Sequence, residues 1–287
     1  MKKKNLYVLL ASVLLVTSPI HSVSAQKVEK KQAPKSAATS YSWHPWRGKK
    51  VAYFGDSITD PNTIPGTSLY WNFLQQWLDI TPWVYGVSGR EWNDIPRQTD
   101  MLQQEHGDAV DAILIFCGTN DFNNSIPIGE WYNVTEDIVE AAVGKPKETV
   151  LRRHRQFSMN PNTFRGRINI AMDKLKRTYP TKQIVLLTPI HRAYFGSSDK
   201  NIQPDEMYEN VRGIFFDEYV KAIKEVGNVW AVPVIDLNSL SGLFPLYDAG
   251  AQMFNKPNTD RLHPNDAGHS RMAKTIMQQL SALPCDF

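Results

Sequence analysis

The chain has 287 residues, of which 42% are hydrophobic and 21% charged, an ordinary composition for a globular protein. Its formal net charge of +3 is cancelled when Lys2, Lys3 and Lys4, the only charged residues among the first 25, are left out. The remaining chain is neutral, which excludes the overall basic charge of a nucleic-acid-binding protein.

Residues 1–25 have the pattern of a secretory signal peptide. Three lysines precede an apolar run from Leu6 to Val16, and Val23-Ser24-Ala25 offers a small-residue cleavage site. A membrane anchor is the alternative, but a membrane span needs roughly 20 residues and this run is shorter. We therefore expect cleavage near Ala25, export to the periplasm or the medium, and no stable membrane insertion.

Residues 26–47 predict a flexible linker, because they are rich in Lys, Gln, Ala, Ser and Thr and show no periodicity. Trp43 and Trp46 are the linker residues that can pack against the edge of a folded unit. The folded domain is expected over residues 48–287.

From Lys50 onward, short apolar runs alternate with longer amphipathic stretches, which indicates one α/β domain with a mainly parallel sheet. The predicted strands are Val51–Phe54, Trp83–Val87, Ala112–Cys117, Ile184–Thr188 and Trp230–Ile235. The predicted helices are Leu69–Leu78, Ile95–Gln104, Phe164–Arg177, Met207–Glu225 and Ala267–Leu280. The strands are almost continuously apolar, as expected for parallel strands buried on both faces.

An insertion at about residues 122–163 follows the third strand and is too long for a plain connection. It contains Trp131, Tyr132 and a predicted helix near Thr135–Val143. Its aromatic residues either form a wall for the substrate or belong to a packed structural subdomain, and the sequence leaves both interpretations open.

The two cysteines, Cys117 and Cys285, have no spacing typical of a zinc or redox site. Cys117 ends a buried apolar strand and Cys285 lies near the C-terminus. Two separate thiols are the simpler interpretation, and a disulfide bond is the alternative in an exported protein.

Three glycine-containing segments each follow or end a predicted strand. They are Gly55-Asp56-Ser57-Ile58-Thr59, Gly86-Val87-Ser88-Gly89-Arg90 and Gly118-Thr119-Asn120-Asp121. In parallel α/β sheets, sites form beyond the carboxyl ends of the strands where the strand order reverses. With the strand order 2-1-3-4-5, Ser57, Gly89 and Asn120 meet in one crevice. A fourth segment, Asp260-Arg261-Leu262-His263-Pro264, comes just before the last helix.

These residue types are the ones that ester hydrolysis needs. Ser57 can act as the nucleophile, His263 as its base, and Asp260 as the group that orients the imidazole. The backbone N–H groups of Ser57 and Gly89, with the Asn120 amide, can form an oxyanion hole. Each motif alone is equally compatible with an ordinary turn or helix cap, but all four in order predict a catalytic site.

The four segments resemble the signatures of the SGNH subgroup of the GDSL hydrolases. Ser57 in FGDSIT, Gly89 in GVSGRE, Asn120 in CGTND and His263 in DRLHPN match the four signature residues, and Asp260 matches the triad acid. The resemblance covers about residues 50–280. It implies a three-layer α/β/α sandwich with a flavodoxin-like, mainly parallel five-stranded sheet, and a serine mechanism without metal or cofactor.

Two features depart from the family pattern. Val84-Tyr85 precede Gly86 where the family often has Asn two residues before that glycine, so the second loop lacks that supporting side chain. The insertion after Asp121 also exceeds the compact family pattern.

Other kinds of site explain the sequence less well. There is no Gly-x-Ser-x-Gly elbow, dinucleotide fingerprint or phosphate-binding loop. A metal site from Asp260, His263 and His269, with Asp56, needs more assumptions than the triad. Asp56 and Asp121 are expected to brace their loops through backbone hydrogen bonds.

We therefore expect an exported serine esterase that removes short acyl groups, above all acetyl, from a carbohydrate, with no cofactor, metal or nucleic acid. A lipase, lysophospholipase or thioesterase with the same triad is the nearest alternative, and a non-catalytic glycan-binding protein is another. His191 and Arg192, which follow the fourth strand, either contact the substrate or have a plain loop role; Trp131 and Tyr132 are further candidates. The sequence does not indicate the oligomeric state.

Overall fold

The structure, a computed structural model, describes residues 43–285. The predicted signal peptide (1–25) and residues 26–42 of the predicted linker therefore lie outside the described residues. The strands are β1 (Lys50–Gly55), β2 (Thr81–Val84), β3 (Ala112–Phe116), β4 (Tyr132–Ala141), β5 (Glu148–Phe157), β6 (Gln183–Leu187), β7 (Phe195–Ser198), β8 (Asn201–Gln203), β9 (Val234–Ile235), β10 (Phe254–Lys256) and β11 (Asp260–Pro264). The helices are α1 (Tyr70–Leu78), α2 (Ile95–His106), α3 (Thr119–Asn123), α4 (Phe164–Thr178), α5 (Phe216–Trp230), α6 (Leu237–Leu240), α7 (Asp248–Ala251) and α8 (Asp266–Leu280).

The central sheet has five parallel strands in the order β2-β1-β3-β6-β9. In chain order this is 2-1-3-4-5, so the predicted order is confirmed. All five residues of β3 are buried, as are those of β6. Such strands suit the middle of a sheet that is covered on both faces.

Two hydrophobic clusters lie on opposite faces of this sheet and make it the middle of three layers. Along β1, Ala52 and Phe54 belong to the cluster shared with α2, α4 and α5. Val51 and Tyr53 alternate with them and belong to the cluster shared with α1 and α8. The predicted α/β/α sandwich is therefore confirmed.

A second, four-stranded sheet with the order β10-β11-β7-β8 was not predicted. Its ladders are antiparallel, and Asp260 of β11 is opposite Phe195 of β7. The segment that contains Asp260 and His263 is thus a strand and not a loop.

The insertion forms a β-hairpin of β4 and β5, so the predicted helix near Thr135–Val143 is wrong. The ladder runs without interruption from the pair Tyr132–Phe157 to the pair Ala141–Glu148. Cross-strand pairing with β5 overrides the helix-forming Glu and Ala residues of β4, because strand stability depends on the neighbouring strand more than on local preference.

Three predicted boundaries are also wrong. The second strand, predicted at Trp83–Val87, begins at Thr81 and ends at Val84, where it pairs with β1. Helix α5 begins at Phe216 and not at Met207, since Gly213 has a φ of +73° and the Asn210 side chain accepts the Arg212 and Ile214 N–H groups in a loop. The predicted last strand, Trp230–Ile235, is too long. Trp230 is the last residue of α5, and only the two residues of β9 pair with β6.

The last residues of the predicted linker are packed against the domain. His44 Nε2 lies 2.9 Å from Met277 O, and Trp46 is fully buried and donates its Nε1–H to Leu283 O at 2.9 Å. Trp43 is 72% exposed. The packed chain therefore begins a few residues before the predicted start at 48.

Cys117 and Cys285 are buried and no disulfide bond joins them, in agreement with the simpler interpretation. Cys285 donates to Pro45 O at 3.0 Å. Among the helices within residues 43–285, none is long and apolar enough to cross a membrane.

Candidate active site

Ser57 lies in a tight turn directly after β1. The Asp60 N–H donates to Asp56 O at 3.0 Å and closes the turn, in which Ser57 is 5% exposed. Gly55 is the last residue of β1, and only glycine fits there because a Cβ would lie 2.3 Å from Phe116 O. The close approach of β3 therefore requires the glycine of the Gly-Asp-Ser sequence.

Ser57, His263 and Asp260 form a continuous series of hydrogen bonds. His263 Nε2 lies 3.0 Å from Ser57 Oγ, and His263 Nδ1 lies 3.0 Å from each carboxylate oxygen of Asp260. Since the carboxylate accepts the Nδ1 proton, Nε2 is left as an acceptor for the serine hydroxyl. The structure thus brings together the three residues that the sequence predicts as a triad.

Asp260 is held ionised by its neighbours. Burial alone would raise the pKa of this carboxyl, but hydrogen bonds from His263 and Asn255 outweigh burial and hold the pKa below its ordinary range. Asn255 Nδ2 donates to Oδ2 at 2.9 Å, and the Leu262 and His263 N–H groups donate to Oδ1 at 3.2 and 3.0 Å. The Phe195 ring packs edge-on against the imidazole, with 5.2 Å between centroids.

Unsatisfied donors lie at the two predicted oxyanion positions of the backbone. Within residues 43–285, neither the Ser57 N–H nor the Gly89 N–H donates to another residue. Gly89 is exposed, has a φ of +78°, and faces open space where a Cβ would stand. Asn120 Nδ2 donates to Arg90 O at 2.9 Å, which leaves its second N–H for another acceptor.

Two bracing residues were missed in the sequence. Asp60 Oδ2 accepts the Ser88 N–H at 2.9 Å, so it supports the loop in which Val84-Tyr85 depart from the family pattern. From α2, the buried Gln98 accepts from Gly55 N at 2.9 Å and donates to Gly55 O at 3.0 Å. The available signal was a polar residue on the sheet-facing side of an amphipathic helix.

Asp56 and Asp121 brace their loops as predicted. Asp56 Oδ1 accepts the Ile58 N–H at 3.0 Å, and Asp121 Oδ2 accepts the Trp92 N–H at 3.1 Å. Arg167 pairs with the other oxygen of Asp121 at 3.0 Å. Burial raises the pKa of each aspartate to about 7. Both carboxyls therefore titrate near neutral pH, one of them directly beside the serine.

Arg192 does not lie where a substrate can touch it. The side chain is 1% exposed and donates to Thr119, Asn123 and Gln203 at 3.1, 2.6 and 2.9 Å. Burial lowers the pKa of the guanidinium to about 10. Arg192 thus connects α3, the helix that contains Asn120, to β8 through hydrogen bonds. The candidate His191 is half-buried and lines a different cavity, described below.

The aromatic residues of the insertion pack on helices. Trp131 donates its Nε1–H to Glu225 of α5 at 2.7 Å. The Tyr132 ring stacks on Phe157, which stacks on Trp230 at the end of α5 with 4.2 Å between centroids. The structure does not bring Trp131 or Tyr132 into contact with the triad, which favours the interpretation as a packed subdomain.

His269, one residue of the alternative metal site, makes a structural hydrogen bond to the backbone. His269 is buried, accepts the Tyr70 N–H at Nδ1 at 3.3 Å, and has its pKa lowered to about 3 by burial. Over the described part of the chain, no three His, Cys, Asp or Glu side chains are grouped as metal ligands.

Comparison with known families identifies the chain. The sequence profile described as the GDSL-like lipase/acylhydrolase family matches residues 53–271, which include all four motif segments with Ser57, Gly89, Asn120 and His263. The chain belongs to this family. It is a GDSL-type serine esterase with the α/β fold of that family. No curated protein matches the sequence.

Solved structures similar to this GDSL-type esterase share its fold. A Lactobacillus plantarum protein is 23% identical, with a TM-score of 0.62 over 82% of this chain and 97% of its own. A possible lipase from Chitinophaga pinensis is 20% identical, with a TM-score of 0.59 over 80% of this chain and 97% of its own. A putative GDSL-like lipase from Bacteroides uniformis is 16% identical, with a TM-score of 0.50 over 82% and 96%.

Proposed function

We propose that the protein is an exported carboxylic ester hydrolase in which Ser57, His263 and Asp260 act as the catalytic triad. The observation that carries this proposal is the alignment of His263, which lies 3.0 Å from Ser57 Oγ on one side and 3.0 Å from Asp260 on the other. An imidazole held in one tautomer beside a serine hydroxyl is the arrangement that general-base catalysis of acyl transfer needs.

In the first half of the reaction, Ser57 Oγ attacks the ester carbonyl carbon while its proton passes to His263 Nε2. The negative charge that develops on the carbonyl oxygen is stabilised by the Ser57 and Gly89 N–H groups and by the second N–H of Asn120. The tetrahedral intermediate then expels the alcohol, which takes the proton from His263, and an acyl-enzyme on Ser57 remains. The ionised Asp260 stabilises the imidazolium that forms between these two steps.

In the second half, water attacks the acyl carbon and gives its proton to His263. Collapse of the second intermediate releases the carboxylic acid and returns the proton to Ser57 Oγ. Every proton taken by the imidazole is returned within the cycle, so no redox partner or further co-substrate is required.

We propose a short acyl group, above all acetyl, on a carbohydrate as the substrate. Support comes from Tyr194, which is 40% exposed and directly precedes Phe195 in the chain, the residue whose ring packs against His263. An exposed aromatic face of this kind can stack on the C–H face of a sugar ring. The predicted signal peptide, cleaved near Ala25, supports an exported enzyme with an extracellular or periplasmic substrate.

A lipase, lysophospholipase or thioesterase is the second candidate. It is favoured by the exposed apolar side chains of the loop before α5, where Met207, Tyr208 and Val211 are 68%, 63% and 94% exposed. Exposed apolar patches of this kind mark contact sites for apolar partners.

The decisive experiment is hydrolysis of p-nitrophenyl acetate by residues 26–287, compared with Ser57→Ala and with Ser270→Ala as the matched serine control. We expect turnover by the wild type and the control and its loss in Ser57→Ala. Equal activity in Ser57→Ala and wild type would remove Ser57 as the nucleophile.

The acyl group and its carrier are then tested with p-nitrophenyl esters of increasing chain length and with acetylated oligosaccharides. Activity that falls with chain length supports the acetylesterase, and activity that rises supports the lipase. Absence of turnover in wild type and Ser57→Ala, with equal glycan affinity in both, would favour a non-catalytic glycan-binding protein.

A further inference from the structure

A cavity of about 300 Å³ opens beside the carboxyl ends of β6 and β9. His191 follows β6, Asn238 follows β9, and Phe215 and Asp217 come from the start of α5. Glu206, from the loop before α5, completes its polar lining. Ser57, His263 and Asp260 do not line this cavity, so it is separate from the triad although it lies on the same edge of the sheet.

The polar side of the cavity is held in place from within the protein. Glu206 accepts from His191 Nδ1 and, at 2.9 Å, from the Arg192 N–H, and its side chain is only 9% exposed. The His191 side chain is 29% exposed, and within residues 43–285 its Nε2 has no hydrogen-bond partner. The hydrogen bond that His191 donates to Glu206 raises the pKa of His191. Because Nδ1 is held by Glu206, Nε2 is a fixed hydrogen-bonding atom that faces whatever enters: it accepts when the ring is neutral and donates when the ring is protonated.

The other side of the cavity is aromatic. Phe215, which is 47% exposed, lines this side. Phe244, which is not one of the lining residues, packs edge-on against the His191 ring with 5.2 Å between centroids. An aromatic surface next to fixed polar groups suits a ligand that has both C–H faces and hydroxyl groups.

The charges of the lining exclude two other ligand classes. An alkyl chain would remove water from the exposed carboxylate of Asp217 and from His191 Nε2 without replacing their hydrogen bonds, which is costly. An anionic ligand would be repelled by the Asp217 carboxylate. A neutral polyhydroxyl ring satisfies both the aromatic and the polar side.

We propose that this cavity binds a neutral pyranose ring, as a subsite for a sugar unit of the glycan chain whose ester is cleaved at Ser57. The proposal rests on the proposed carbohydrate substrate only in assigning the bound sugar and the ester to the same chain. Hydroxyl groups of the sugar form hydrogen bonds with His191 Nε2 and donate to Asp217, while its C–H face lies on Phe215.

Binding is tested without turnover, in the Ser57→Ala protein with methyl-labelled methionine. Xylotetraose, cellotetraose and chitotetraose are titrated while the Met207 methyl signal, which reports from the cavity lining, is followed by NMR. We expect at least one tetrasaccharide to shift this signal. No shift with any of them up to the solubility limit would overturn the proposal.

Phe215→Ala, added to the same protein, is expected to weaken binding about ten-fold, because it removes the stacking surface. Val211→Ala is the matched control, since this residue lies in the same loop, is 94% exposed and does not line the cavity. Asp217→Asn provides a second variant that removes a charge without a change of shape. Equal affinity in all these proteins would contradict the proposal.

Kinetics separate this proposal from the proposed function. With Ser57 restored, Phe215→Ala should lower kcat/KM on acetylated oligosaccharides relative to kcat/KM on p-nitrophenyl acetate. Tetrasaccharide binding without hydrolysis of acetylated glycans would retain the subsite and reject the carbohydrate esterase. Hydrolysis of those glycans with the same ratio of the two kcat/KM values in Phe215→Ala and wild type would retain the carbohydrate esterase and reject the subsite.

Discussion

Asp60 and Ser88 are joined by a hydrogen bond of 2.9 Å between a carboxylate oxygen of Asp60 and the Ser88 N–H. Asp60 belongs to the turn that contains Ser57, and Ser88 directly precedes Gly89. The bond therefore fixes the distance between two N–H groups proposed to stabilise the same oxyanion. Catalytic donors are effective only when held in place before the reaction begins.

Replacing Asp60 by Asn should lower kcat on p-nitrophenyl acetate about ten-fold with little change in KM. This decrease in kcat is smaller than the one expected when an oxyanion donor itself is removed. The amide has one acceptor where the carboxylate has two, so it cannot serve both Ser88 and Asn62, whose N–H lies 2.8 Å from Asp60. Asn62→Ala keeps the bond to Ser88 and is the matched control. An unchanged kcat in Asp60→Asn would contradict a role for this brace.

Arg192→Ala should reduce stability and leave KM largely unchanged. The substitution leaves two acceptors of the guanidinium, the buried Thr119 and the half-buried Asn123, without a donor, whereas Gln203 keeps the Asn123 amide as one. We expect a cost of about 2 kcal/mol in the free energy of unfolding. Urea unfolding and steady-state kinetics measure the two effects separately. Arg212→Ala, at an exposed position of the following loop, serves as the control. A large rise in KM at unchanged stability would instead favour substrate contact by Arg192.

His269 should make the protein less stable in mild acid. The unfolded chain binds a proton at this residue near its ordinary pKa of 6.5, whereas the folded state binds it only near 3, because burial opposes the charge. Between these values the unfolded state binds more protons, so stability falls as the pH decreases through this window. The contribution reaches about 1.4 kcal/mol per pH unit.

His269→Asn removes this titration and can keep an acceptor for the Tyr70 N–H. The difference in the free energy of unfolding between variant and wild type should therefore shift in favour of the variant as the pH falls. Urea titrations through the window measure it. A difference that does not change with pH would show that His269 does not titrate as stated.

Replacing residues 133–156 by Asn-Gly should leave hydrolysis of p-nitrophenyl acetate unchanged. Tyr132 and Phe157 are directly paired, so a two-residue turn can connect them. The removed residues are almost all at least partly exposed, and the contacts of Trp131 and Tyr132 with the helices remain. Loss of activity in a folded variant, checked by circular dichroism, would show that the hairpin contributes to the site.

The central sheet was predictable because each of its first four strands is marked by a nearly continuous apolar run, and the motif segments lie at strand ends. Once the order 2-1-3-4-5 is adopted, the crevice that gathers Ser57, Gly89 and Asn120 follows from topology. His263 could be added from its motif alone, although the strand that contains it was not recognised.

The remaining features depend on contacts between distant segments. Residues Thr135–Val143 contain strong helix formers, and only the presence of β5 at the right distance makes them a strand. Asn255 supports Asp260 through one side-chain hydrogen bond, which leaves no pattern in the sequence. Gln98 supports Gly55, and its one signal is a polar residue on the sheet-facing side of α2, which does not say what it contacts. Gly213 was the one local signal that α5 begins later than predicted, since its φ of +73° is unsuited to a helix.

The serine and its imidazole are separated by 206 positions along the chain. During synthesis, the turn with Ser57 emerges early, whereas β11 and α8 come last. A nascent or C-terminally truncated chain thus has the proposed nucleophile without its proposed base, and we expect ester cleavage to begin only when β11 joins β7. Turnover of a chromogenic ester during refolding would consequently report when β11 pairs with β7, independently of the spectroscopic signals that follow the central sheet. Because contacts between segments far apart in the chain form slowly, we expect this step to be slow.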